Sequence, residues 1–251
     1  MADLQQFLLI FVRIAAFIVI CPGFSFAGMP NLIKVTLSFG ISLVVFPMTS
    51  ALQGEISTIL VGLLVIKEGL VGFALGFISK LFFSAVEMAG KLVDFQVGFS
   101  MGETFDPSLG VNVSNYGKVY YWMSMAVFFL TDLHHVVIQA LIRSFRYIPL
   151  EEAALGNFGI EGMITLFSMM FKTGLSLAAP LIIVALISEI VLALISRSVP
   201  QINVLILGMP LKVIVSLVFT LVFLTPLMGS VKESLTKTVY YMNQFMQSLP
   251  G

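Results

Sequence analysis

The sequence predicts an all-α protein built for an apolar surrounding, and three observations carry that expectation. Of its 251 residues 59% are hydrophobic and only 10% charged, with a mean hydropathy of +1.05, a composition outside that of soluble domains. The apolar residues come in uninterrupted runs of helical length, longer than buried strands reach. Prolines at positions 22, 30, 47, 149, 200 and 226 punctuate those runs as turns would.

The first run, 7–20, carries Arg13 within it and follows a Met-Ala-Asp start without the cationic n-region of a cleaved signal, so it reads as a retained helix. The second, 35–52, follows Pro30 and contains Pro47. The third, 56–86, holds 31 positions, and as one helix it would reach roughly 45 Å, beyond the hydrocarbon core of a bilayer. Gly72 and Gly76 within it form a G-x-x-x-G pair that permits close helix approach. Residues 103–118, with Asp106-Pro107, Gly110, Asn112, Ser114, Asn115 and Gly117, read as a long loop. A loop of that length inside a helical unit is commonly a lid or binding segment. Runs 119–142, 163–195 and 202–228 complete the helices, with a kink expected at Pro180, which deletes one backbone hydrogen bond. The absence of a linker or low-complexity tail predicts one helical unit over 1–251.

A short echo recurs: Gly28-Met29-Pro30, Lys34 and Pro47 parallel Gly208-Met209-Pro210, Lys212 and Pro226, with proline spacings of 17 and 16. Chance recurrence and duplicated architecture both account for it.

Eleven charges lie inside or beside the apolar runs: Arg13, Lys67, Glu68, Lys80, Glu87, Lys91, Asp94, Asp132, Lys172, Glu189 and Lys212. At roughly 3 kcal/mol each in lipid they would cost on the order of 30 kcal/mol, more than the net stability of a domain. They must pair, face water or face protein. Lys80, Glu87, Lys91 and Asp94 fall within an arc of about 60° at helical spacing, with Glu87–Lys91 at i, i+4 and Lys91–Asp94 at i, i+3. Arg13, Lys172, Glu189 and Lys212 are read as further interhelical or intersubunit charges. The distribution of basic residues between connections leaves the orientation unreadable.

The composition also excludes functions. Thirteen basic and thirteen acidic residues cancel, leaving no basic surface for nucleic acid. One cysteine, Cys21, and two histidines give neither an intrachain disulfide nor zinc-ligand spacing, so no metal or cofactor is expected. No phosphate loop or dinucleotide fingerprint occurs. Gly98-Phe99-Ser100-Met101-Gly102 fits G-x-S-x-G, but a nucleophile elbow needs a strand before it and this stretch follows a helix. His134 and His135 read as a helix-end or interfacial pair. Fourteen methionines could form a deformable lining or ordinary core. Two rival readings stay open: a solute or ion transporter routed through Lys80, Glu87 and Asp94, and an intramembrane serine protease using Ser100.

The block Gly90-Lys91-Leu92-Val93-Asp94-Phe95-Gln96-Val97-Gly98-Phe99-Ser100-Met101, followed by Phe105-Asp106-Pro107, resembles the FliR family of flagellar biosynthesis. Asp132-Leu133-His134-His135 leading to Arg143-Ser144-Phe145, and 200–203 through Gly208-Met209-Pro210-Leu211-Lys212, are similar to the same family in order. The resemblance spans essentially the whole chain and extends to the injectisome SctT component. It implies a non-enzymatic subunit of the type III export gate in the bacterial inner membrane, at the flagellar basal body. Its fold would be kinked and broken helical hairpins packed with FliP- and FliQ-type subunits in a hetero-oligomeric rod that stands largely above the membrane plane. FlhB- and FlhA-type components and exported flagellar proteins are the further partners implied. The resemblance also implies a plug loop at 98–116, with Gly98, Phe99, Met101, Phe105, Asp106 and Pro107 as contacts.

Overall fold

The computed structural model describes residues 2–26, 28–50, 54, 57–99, 114–150, 160–198 and 204–248. Among these residues every regular element is helical: α1 (Ala2–Ile20), α2 (Asn31–Val45) with a 3-10 turn at Phe46–Met48, α3 (Thr58–Val97), α4 (Asn115–Leu130), α5 (Leu133–Tyr147), α6 (Ile160–Ser198), α7 (Val204–Val222) and α8 (Leu224–Gln247). The all-α expectation is met. The helices α1, α2 with its 3-10 turn, α3 and α6 are each long and apolar enough to cross a membrane, and the pairs α4–α5 and α7–α8 raise the number to six if each is one broken span.

Local chemistry explains where the helices stop. Pro22 follows the end of α1, and Pro47 sits in the 3-10 turn that closes α2. α3 runs for 40 residues, about 60 Å, and extends eleven residues past the apolar run that announced it. Gly98 ends it: its φ is +96° and its N–H donates to Asp94 O at 3.1 Å, the left-handed stop that glycine provides. The run 119–142 is divided at Thr131–Asp132, where Asp132 takes φ +56°. Pro226, in the first turn of α8, has no N–H for the Val222 carbonyl, and α7 and α8 are bent by 68° at Phe223. Pro180, where a kink was expected, lies inside α6 without ending it.

The helices gather into two compact units. The first comprises Met1–Phe82, Phe128–Phe167 and Leu235–Gly251. Its core includes Leu9, Ile10, Ile14 and Phe17 of α1, Leu75 and Ile78 of α3, and Leu141 of α5. The G-x-x-x-G pair does what its spacing predicts. A Cβ on Gly72 would stand 2.1 Å from Arg13 O, and one on Gly76 2.9 Å from Phe17 O, so the backbones of α1 and α3 approach within reach only of glycine.

The second unit comprises Phe83–Val127 and Ser168–Ser234. Ala85, Val86, Ala89, Val93, Tyr116, Tyr120, Ala178 and Leu181 are buried in it. Much of its large apolar surface is not: Leu175, Ile183, Ile187, Ile190, Leu194, Leu217, Leu221 and Val222 are all exposed. This inverts the soluble pattern, in which a surface helix turns its charged side outward.

Candidate functional site

The polar groups of the second unit converge where α3 ends and α4 begins. Asp94, three residues before the end of α3, is buried, and its carboxylate accepts the Tyr116 N–H at 3.0 and 3.1 Å and the Ser114 hydroxyl. Ser114 Oγ in turn accepts the Gly117 N–H at 2.9 Å. α4 therefore has two N-terminal caps, its own serine and a carboxylate from another helix, which also meets the positive end of the α4 dipole. Gly90 and Gly117 let the helices close: a Cβ on Gly90 would lie 2.4 Å from Tyr116 O.

From this point the contacts continue to α7. The Tyr116 hydroxyl donates to Ser216 Oγ at 3.0 Å, Ser216 donates to Val213 O at 2.9 Å, and Thr220 Oγ1 lies 3.2 Å from the same tyrosine hydroxyl. One turn before Ser216, Lys212 Nζ pairs with Glu189 of α6 at 3.0 Å, and Gln96 Nε2 reaches Glu189 at 3.5 Å. Lys212, Ser216 and Thr220 thus form an i, i+4, i+8 stripe on α7 in which each side chain meets a partner on another helix.

In the first unit the charges gather around Arg13. Its guanidinium pairs with Glu68, donates to Ser144 Oγ at 3.2 Å and to Ile148 O at 2.8 Å, and lies 4.2 Å from the centre of the Phe145 ring. Lys67 donates to Pro149 O at 2.8 Å and Leu150 O at 3.3 Å. Its Nζ stands 3.1 Å from Glu68 Oε1, close enough for an ion pair, although that oxygen accepts no well-directed hydrogen bond. Two cations face one carboxylate here. The remaining negative potential comes from the carbonyls just past the C-terminal end of α5, where a helix dipole favours positive charge.

The residues expected to form one charged stripe divide. Glu87 and Lys91 pair at 2.7 Å on a half-exposed surface. Asp94, expected to pair with Lys91, is bound instead to Ser114 and Tyr116. Backbone N–H groups at a helix start satisfy a buried carboxylate without bringing a hydrated ammonium into the interior. Lys80 and Lys172 are exposed and have no ion partner among the described residues. Of the expected plug contacts, Gly98 forms the α3 stop and Phe99 follows it, its ring 6.0 Å from that of Tyr116. Met101, Phe105, Asp106 and Pro107 lie outside the described residues, as does Ser100. Asn115 and Tyr116, expected in the plug loop, and Gly117 and Lys118, expected in the loop 103–118, belong to the first turn of α4. Asp132, His134 and His135 sit together at the α4–α5 break, as a helix-end pair would, with ligand atoms within 4.8 Å of one another. Sequence reasoning missed Ser216 and Thr220. Their four-residue spacing from Lys212 within an apolar helix was the available signal.

Long apolar helices that turn their polar groups inward define this chain as a polytopic helical membrane protein. Residues 4–238 match the family described as bacterial export proteins, family 1, and the chain belongs to that family. It is 31% identical over 245 residues to the flagellar biosynthetic protein FliR of Bacillus subtilis, covering 96% of this chain and 94% of that one. FliR of Escherichia coli K12 is 26% identical over 229 residues, 91% and 87% of the two chains. The Yop proteins translocation protein T of Yersinia pestis is 28% identical over 183 residues, 72% and 70%. The FliR resemblance and its injectisome extension are thereby established, and with them a flagellar, type III export protein of the inner membrane that is not an enzyme.

Proposed function

We propose that this chain is a subunit of the flagellar type III export gate, which forms with FliP- and FliQ-type subunits the pore for unfolded flagellar proteins. In this reading the connection 98–116 helps close the pore. The observation that carries it is the Asp94 cluster: the two ends of the connection, at Gly98 and at Ser114–Tyr116, are bound to one buried carboxylate or its own helix. A closing segment needs a fixed base, and this arrangement supplies one.

The exposed apolar faces of α6 and α7 support assembly, since a lone chain leaves them uncovered and partner helices would bury them at about 25 cal/mol per Å². FlhA- and FlhB-type components and exported flagellar proteins are the further partners of this reading. The buried charges serve as internal ties, while the exposed Lys80 and Lys172 and the half-exposed Glu87–Lys91 pair are placed to meet other subunits.

Coexpression with FliP- and FliQ-type subunits, mild-detergent purification and native mass determination test the assembly. A mixed complex of defined mass is the expected result, and a monodisperse chain alone would overturn it. Deletion of 101–113 in that complex tests closure, since an open pore passes ions and a pore closed elsewhere does not.

A further inference from the structure

Tyr116 is held at both ends. Its backbone N–H is bound by Asp94 of α3, and its hydroxyl by Ser216 of α7, 100 residues further along the chain. Between these anchors the side chain is buried, 3% exposed. A residue whose only task was to begin α4 would need the first anchor and not the second, because capping is complete once the N–H groups of the first turn have acceptors.

We propose that Tyr116 is a coupling residue, one that ties the base of the connection 99–113 to the position of α7; this rests on the reading of that connection as the closing segment. α7 is suited to report a change in its surroundings. Its inner stripe of Lys212, Ser216 and Thr220 is bonded, while its outer residues Ile214, Leu217, Val218, Leu221 and Val222 are exposed and apolar. Whatever covers the outer face acts on the inner bonds. The tyrosine hydroxyl bond is 3.0 Å long, and an axial shift of α7 by about 3 Å, the rise of two residues, takes it out of hydrogen-bonding range. At the far end of α7 the Pro226 break interrupts the helix, so α7 can shift without dragging a continuous α8. Loss of the α7 bonds to the hydroxyl, from Ser216 and Thr220 together, leaves Tyr116 held by Asp94 alone, and the base of the connection is loosened on its C-terminal side. The reverse also follows, because coupling of this kind is reciprocal: releasing Asp94 must loosen α7.

Amide hydrogen exchange on the full chain, coexpressed and purified with its FliP- and FliQ-type partners, tests the coupling. Tyr116→Phe keeps the ring and the backbone cap and removes only the hydroxyl. It is expected to quicken exchange of the amides at 114–118 by about fivefold or more, since the bonds to both Ser216 and Thr220 are lost and one neutral hydrogen bond alone is worth about that factor. Ser216→Ala should give part of that effect, because the Thr220 bond to the same hydroxyl remains, and the double variant should add nothing to Tyr116→Phe alone. Asp94→Ala should quicken exchange at 212–220 as well as at 114–118; Asp94→Asn, which keeps an acceptor, should restore most of the protection at both. Unchanged exchange at 114–118 in Tyr116→Phe, or an Asp94→Ala effect confined to 114–118, would reduce the cluster to a local cap and overturn the coupling. Failure of the closing-segment reading is read separately: ion leak that does not change on deletion of 101–113 removes the plug and leaves the exchange result standing.

Discussion

Arg13 and Glu68, 55 residues apart in the chain, form an ion pair with both side chains fully excluded from solvent. Lys67 adds a second cation to the same carboxylate. Removing one member of such a group leaves uncompensated charge in the interior, which typically costs 3–5 kcal/mol. Glu68→Gln should be the most damaging single change, since it leaves two cations with only carbonyl dipoles for company. Arg13→Met should cost less, because Lys67 can still neutralise Glu68. Thermal denaturation of the purified chain in mild detergent, with both variants beside the parent, gives the order; equal losses would show that the pair, and not the three-charge cluster, is the unit.

Glycine substitutions in α3 should separate by what stands opposite. Gly72→Ala places its Cβ 2.1 Å from a backbone oxygen that cannot rotate away, so a loss of about 1–3 kcal/mol is expected from overpacking. Gly62 has nothing within 4 Å, and Gly62→Ala should stabilise by about 0.5–1 kcal/mol through helix propensity alone. The same denaturation assay measures both, and a Gly72→Ala chain as stable as the parent would contradict the close approach of α1 and α3.

These two glycines also show how far the sequence could be read. Their spacing announced a close approach, but only the fold names Arg13 and Phe17 as what they approach. The helices themselves were legible wherever an apolar run ended at a proline or a glycine. The part of α8 beyond Pro226 was not, because its buried residues, among them Val231, Leu235, Thr238 and Met242, alternate with polar positions and form no apolar run. The Asp132 break was missed for the opposite reason, a turn hidden inside an apolar run with neither proline nor glycine to mark it. For the site, Arg13 and Asp94 were recognisable as charges that needed partners. Their partners were not recognisable: backbone groups carry no sequence signature, and Asp94 had a nearer candidate in Lys91 that solvent suits better.

Tyr120 offers a cleaner test of a single polar atom. Its hydroxyl is buried and has no hydrogen-bond partner among the described residues, beside a cavity of about 80 Å³ lined by Ser176, Pro180, Phe223 and Pro226. A buried donor without an acceptor destabilises the folded chain. Tyr120→Phe is expected to be as stable as the parent or more so, and a loss above about 1 kcal/mol would instead reveal an ordered water on that hydroxyl.

The thiol of Cys21 is buried, 3.5 Å from Ser79 Oγ, and loss of solvation pushes its pKa up to about 11. The reactive species is the thiolate, so at neutral pH it is scarce as well as inaccessible. Maleimide labelling of the folded chain at pH 7 should be negligible and should become complete only in denaturant. Rapid labelling of the native protein would show that this end of α1 opens readily.

The outward apolar face of α7 bears on the fate of a chain that arrives before its partners. Its inner polar side chains Lys212, Ser216 and Thr220 are bonded within its own fold, while its outward surface is grease without a preferred angle. A missing partner therefore leaves the shape intact and exposes the chain to aggregation. Under the proposed assembly, the order in which subunits are made would be a question of solubility before one of structure.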